Sequence, residues 1–169
     1  VRLHPYRTVS RTGLPADFKG FFILHEGPLA YIGSELKEPQ YKDLMKGKTV
    51  EEKDTSGWIG ITDKYWMVTI LPKPGDTFNA RVFGSGSGEQ AHFQTDAVGA
   101  AIDIAAGQAA ENTAYIYAGV KNLTVLKSVG AAHGFEKIDL AIDFGMWYLI
   151  TKPFYAIFHF LVTHLHNIG

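Results

Sequence analysis

His25-Glu26 opens like the zinc-protease pattern His-Glu-x-x-His, in which two histidines on one helical face hold the metal. The fifth position is Leu29, however, and Pro28 bars a continuous helix, so the pair reads as the end of a strand. Gly84-Ser85-Gly86-Ser87-Gly88 has the glycines of a nucleotide loop but no lysine after it and no helix opening behind it. A loose hairpin loop explains it better. Asp143-Phe144-Gly145 matches a kinase metal motif in three letters, without the catalytic loop or the strand lysine a kinase needs. His159 and His166 share a helical face but sit seven residues apart, roughly 10 Å of rise, too far for one metal. His164 points elsewhere. No catalytic residue, cofactor or metal site is therefore assigned. Without cysteine there are no thiol nucleophiles, redox pairs, zinc ribbons or disulfides.

Sixteen Lys and Arg against seventeen Asp and Glu leave a net charge of -1, and Arg2, Arg7 and Arg11 are too sparse for a nucleic-acid stripe. With 46% hydrophobic and 20% charged residues, the 169-residue chain is an ordinary globular sequence of one domain's size. Starting at Val1 with no charged n-region and apolar h-region, it reads as processed, or as a piece of something longer.

The elements that must position any site are mainly strands. Tyr6 to Arg11, Phe21 to His25, Leu29 to Ile32, Trp58 to Thr62, Tyr65 to Leu71 and Phe78 to Phe83 are β-forming runs between Gly and Pro stops. Asp63-Lys64 is a hairpin tip. Glu35 to Thr55, dense in charge, reads as a solvated excursion with one helical turn at Tyr41 to Met45. Residues 97–118 read as two strands joined at Ala106-Gly107. Lys121 to Val129 is a short helix, and Glu136 to Ile142 another strand or an extended link.

The C-terminal segment differs in kind, because Pro153 to Gly169 holds no Asp, Glu, Lys or Arg. At 100° per residue, Trp147, Ile150, Phe154, Ile157, Phe158, Leu161 and Leu165 fall on one wide arc. Tyr148, Lys152, Tyr155, His159, Thr163 and His166 fall on the other. The pattern is an amphipathic helix. It can pack on the sheet, or lie in a membrane interface with aromatic and aliphatic groups at the headgroup boundary and Lys152 at the polar edge.

Several runs resemble one family in matching order over nearly the whole chain. They are Val9-Ser10-Arg11-Thr12-Gly13, Gly20 through Pro28, Gly57 through Trp66, Tyr117 through Lys121, and Asp143 through Tyr148 on to Pro153-Phe154. The sequence is similar to the large periplasmic domain of the YidC/Oxa/Alb membrane protein insertases of Gram-negative bacteria. The resemblance implies a β-supersandwich of the galactose-mutarotase-like type over residues 1–145 and an interfacial helix over residues 146–169 leading toward a transmembrane helix. It implies location at the bacterial inner membrane on the periplasmic side, with no enzymatic activity. It also implies partners: nascent membrane proteins, the Sec translocon with SecDF, and the membrane surface through the helix. The family's domain is larger, so the N-terminal half of the sandwich is expected to be missing here. The insertase groove lies in transmembrane helices, and none of its residues is in this chain. Two alternatives follow from the fold alone: a carbohydrate-binding or mutarotase-like domain, and a peptide-binding module using a free sheet edge.

Overall fold

The computed structural model describes residues 1–16, 18, 25–142, 153–154, 157–158 and 160–161. The apolar run at residues 21–24, Asp143-Phe144-Gly145, Trp147, Ile150, Lys152, Leu165 and the three C-terminal histidines lie outside the described residues.

The fold is mainly β, in a sandwich-like arrangement. Among the described residues up to 142, the strands and α-helices follow in the order β1 (Arg2–Leu3), β2 (Tyr6–Thr12), β3 (Gly27–Ile32), β4 (Glu35–Lys37), α1 (Tyr41–Met45), β5 (Val50–Asp54), β6 (Trp58–Thr62), β7 (Trp66–Pro72), β8 (Phe78–Ser85), β9 (His92–Gly99), β10 (Ile102–Asp103), β11 (Ala114–Val120) and α2 (Leu123–His133). A five-stranded sheet has the order β11-β7-β6-β3-β4, a four-stranded sheet β2-β9-β8-β5, and β1 pairs with β10. Every pairing is antiparallel.

Alternation along each strand decides what is buried. In β3, Ala30 and Ile32 face the four-stranded sheet and meet Ile59, Ile70, Phe78, Val82 and Phe93 in the inter-sheet core. Leu29 and Tyr31 point the other way, onto Trp58, Leu71, Leu126 and Ile138. The central strands of the five-stranded sheet are thus covered on both sides, and β3 and β6 are buried at every position. Full burial of a Leu or Ile stabilises by roughly 1.5–3 kcal/mol, so both layers matter to stability.

α2 supplies the outer cover. Asn122 caps it by accepting from the Val125 N–H at 3.1 Å, and Gly134, at φ +73°, ends it in the left-handed region. α1 seats Tyr41 and Leu44 over the sandwich, and Tyr41 lies 4.4 Å from the Phe93 ring centroid. Burial pushes the Tyr41 hydroxyl up to about 12. Gly84 lets α1 approach, because a Cβ there would meet the Leu44 Cβ at 2.9 Å.

The strand expectations hold at β2, β6, β7 and β8, and so do the α1 turn and the 63–64 hairpin tip, where the Asp63 N–H donates to the Trp66 carbonyl at 2.8 Å. Four readings need correction. The charged 35–55 stretch contains β4 and β5, which are sheet margins and tolerate exposed charge. Gly27-Pro28 does not break the chain but starts β3, where a proline is tolerated at a strand's beginning. The two strands within residues 97–118 are not one hairpin: β10 pairs with β1, and β11 with β7. Residues 138–141 form a 3₁₀ turn instead of a strand, burying Ile138 and Ala141, three apart.

Candidate membrane-contact surface

The helical assignment predicted after Pro153 is found at each described position there: residues 153–154, 157–158 and 160–161 are α-helical. Phe154, Ile157 and Phe158 are 55%, 53% and 57% exposed, and Leu161 is half-buried. Positions i, i+3 and i+4 are neighbours on a helix surface, so these three side chains form one apolar stripe presented outward. Phe160, three positions after Ile157, is a further exposed aromatic, at 59%, that lies outside the arc named from the sequence. The uncharged run from Pro153 was the signal that included it. Among the described residues no helix is long and apolar enough to cross a membrane.

The motif readings can be placed where the residues are described. His25-Glu26 stands immediately before β3, with His25 buried and its Nε2 3.0 Å from the Pro28 carbonyl oxygen. Gly84 to Gly88 belongs to the β8–β9 hairpin, with Gly84 and Ser85 still in the ladder and Gly86 at φ +75° in the turn. Among the described residues no cluster of His, Asp and Glu could hold a metal ion.

The outer face of the four-stranded sheet bears on the carbohydrate alternative. β2 and β9 pair Thr12 with His92 and Tyr6 with Val98, which lines up a polar ladder. The Tyr6 hydroxyl donates to Asp96 at 2.8 Å, and Gln94 Nε2 donates to Asp96 at 2.7 Å. Accepting these bonds, the Asp96 carboxylate holds the Tyr6 hydroxyl above its ordinary pKa. His92 reaches Thr12 and Gln94, each at 3.3 Å. Gln94 thus stands between His92 and Asp96, bonded to both. Sequence reasoning missed this ladder, since Tyr6 and Asp96 are 90 positions apart.

Two sets of contacts hold the sheets together at their margins. Lys37 on β4 meets Glu52 on β5 at 2.7 Å, and the Gly33 N–H donates to Asp54 at 2.7 Å. On the far side Arg11 of β2 pairs with Asp63 of the β6–β7 tip. The scaffold beneath any surface site is thus tied at both edges.

A family model described as the YidC periplasmic domain matches residues 1–157. A protein of Beijerinckia indica subsp. indica named membrane protein insertase YidC is 37% identical over 172 residues, covering 100% of this chain and 28% of that protein. One of the same name from Jannaschia sp. is 36% identical over 196 residues, covering 100% of this chain and 31% of that protein. One from Brucella suis biovar 1 is 30% identical, covering 100% of this chain and 28% of that protein. The chain therefore spans about a third or less of the length of these relatives.

Proposed function

The chain belongs to the family of YidC periplasmic domains, and on that premise we propose that it is the periplasmic part of a membrane protein insertase, seated on the bilayer surface through its C-terminal helix. The observation that carries the surface contact is the outward stripe Phe154, Ile157 and Phe158. Exposed apolar groups at this spacing gain by entering the headgroup boundary, at roughly 25 cal/mol per Å² removed from water. Leu161 continues the stripe, and by sequence spacing alone Trp147, Ile150 and Leu165 would extend it, with Lys152 at the polar edge. With no basic cluster on the segment, the binding is mainly hydrophobic and only weakly dependent on anionic lipid.

In this reading the domain performs no catalysis and takes no cofactor. The full protein assists insertion and folding of nascent inner-membrane proteins, alone or with the Sec translocon. This domain orients it on the periplasmic side and offers a docking face to SecDF. The relatives' name supports the insertase part, and the sequence resemblance supports the Sec part. Mechanistically the work is solvation: a polar groove elsewhere in the protein lowers the cost of moving a segment's polar flanks while lipid receives its apolar part.

Flotation with liposomes tests the surface contact. Phe158→Asp combined with Leu161→Asp should abolish co-flotation, while the far-ultraviolet circular dichroism of the β body stays unchanged. Equal flotation of the variant and the parent chain would refute the reading.

A further inference from the structure

Tyr41 of α1 is 1% exposed, and its ring is closely packed. Phe18 meets it edge-on with ring centroids 5.2 Å apart, and Phe93 tilts against it at 4.4 Å. Gly27 makes room on another side, where a Cβ would stand 3.5 Å from Tyr41 Cζ and 3.6 Å from His25 Cε1. The apolar parts of the ring are thus satisfied, but the hydroxyl is not. Among the described residues no donor or acceptor meets the Tyr41 Oη in hydrogen-bonding geometry. Leaving a buried hydroxyl unpaired is costly, and nearly all such groups in folded proteins find a partner, either protein or ordered water.

Charges of both signs lie close to this hydroxyl. Arg11 of β2 and Asp63 of the β6–β7 tip are paired, with side chains 24% and 39% exposed, so the pair reaches inward from the surface. Burial is the main influence on the Tyr41 hydroxyl. Next, Arg11 is near enough to ease its ionisation, while Asp63 and Glu26 oppose it. The bond between the pair runs from Arg11 Nη1 to Asp63 Oδ1. A guanidinium carries five N–H donors and a carboxylate two accepting oxygens, so each partner keeps capacity beyond that bond.

We infer that one ordered water is bound between the Tyr41 hydroxyl and the Arg11–Asp63 pair, as a ligand built into the fold. The surroundings select water over other small ligands. A cation at this place faces Arg11, an anion faces Asp63 and Glu26, and an apolar group leaves the hydroxyl unpaired. Water both donates and accepts, and a buried water makes about three hydrogen bonds, which Tyr41, Arg11 and Asp63 together supply. Through it α1, the β2 margin of one sheet and the β6–β7 tip of the other meet at a single polar node. The site is internal, so it needs no free surface and no residue of the C-terminal helix.

Magnetic relaxation dispersion of the solvent, read on deuterium and oxygen-17, counts the long-lived internal waters of the folded chain. Tyr41→Phe keeps the ring and removes only the hydroxyl. It should lower that count by one water and raise the unfolding equilibrium constant about fivefold, as loss of a buried hydrogen bond does. Asp63→Ala leaves the hydroxyl in place and should lower the count by the same water, so the double variant loses no second one. An unchanged count in Tyr41→Phe, with stability equal to or above the parent's, would overturn the inference in favour of a dry, unpaired hydroxyl. An unchanged count with lowered stability would overturn it in favour of a direct bond to Arg11. A water lost in Tyr41→Phe but kept in Asp63→Ala would overturn it too, because the water would then lie away from the pair.

Discussion

Lys37 on β4 and Glu52 on β5 meet at 2.7 Å, joining the margin of one sheet to the margin of the other. Both side chains are about a third exposed or less, at 27% and 34%, so the pair is screened only in part. The Glu52 carboxylate accepting from Lys37 raises the lysine's pKa. A raised lysine stabilises fully below its ordinary value of 10.5, and that contribution fades as pH climbs through the folded value. Lys37→Met should cost about 0.5–1 kcal/mol at neutral pH, less at high salt. Urea unfolding at two salt concentrations measures it.

Gly33 sits under the same clasp. It lies at φ +60° in the two-residue turn joining β3 to β4, and a Cβ would meet Glu52 Oε1 at 2.2 Å. Gly33→Ala should therefore lose about 1–2 kcal/mol through left-handed strain plus displacement of Glu52. In a Glu52→Ala background the same change should cost less, because only the strain remains. A double-mutant cycle by urea denaturation reads the difference.

Asp54 ties the neighbouring backbone. It accepts from the Gly33 N–H at 2.7 Å, and also from the N–H groups of Thr55 and Ser56. The Gly33 bond chiefly, with help from the other two, lowers the Asp54 pKa from its ordinary 3.8. A depressed carboxylate stabilises above the unfolded value and loses that contribution as pH falls through the folded one. Asp54→Asn should cost about 1 kcal/mol at pH ~7, and the gap from the parent chain should close below pH ~3.8. Stability measured against pH for both proteins checks the sign.

Leu126 tests the outer layer. It is fully buried between α2 and the five-stranded sheet, packed with Leu29, Trp58 and Ile138. Leu126→Ala should cost roughly 2–5 kcal/mol, the range for a core cavity. A loss below ~1 kcal/mol in thermal unfolding would mean that α2 is not a structural cover.

Where the sequence was readable, one face of a strand carried large apolar groups, as in Trp58 to Thr62 and Phe78 to Phe83. β5 escaped notice because a sheet margin can alternate Glu51 and Lys53 with only partly buried partners. β9 was overlooked as a full strand because its inward residues include Thr95 and Ala97, too small to signal burial, while His92, Gln94 and Asp96 build the polar ladder. β11 was anticipated as a strand, but its pairing with β7 depends on which neighbours the fold supplies, and no local pattern encodes that. The stripe after Pro153 was legible because a helix repeats its face every three or four residues. The resemblance was legible for a different reason: several motifs recur in the same order.

The contact of the C-terminal stripe with lipid is the claim on which the functional reading rests. Because the chain has no native cysteine, a single cysteine at position 157 can carry a bimane without background labelling. With vesicles containing lipids nitroxide-labelled near the headgroup, a bimane at position 157 should shift to the blue and be quenched, while one at position 94 on the outer sheet face should do neither. Equal emission and equal quenching at the two positions would contradict the account.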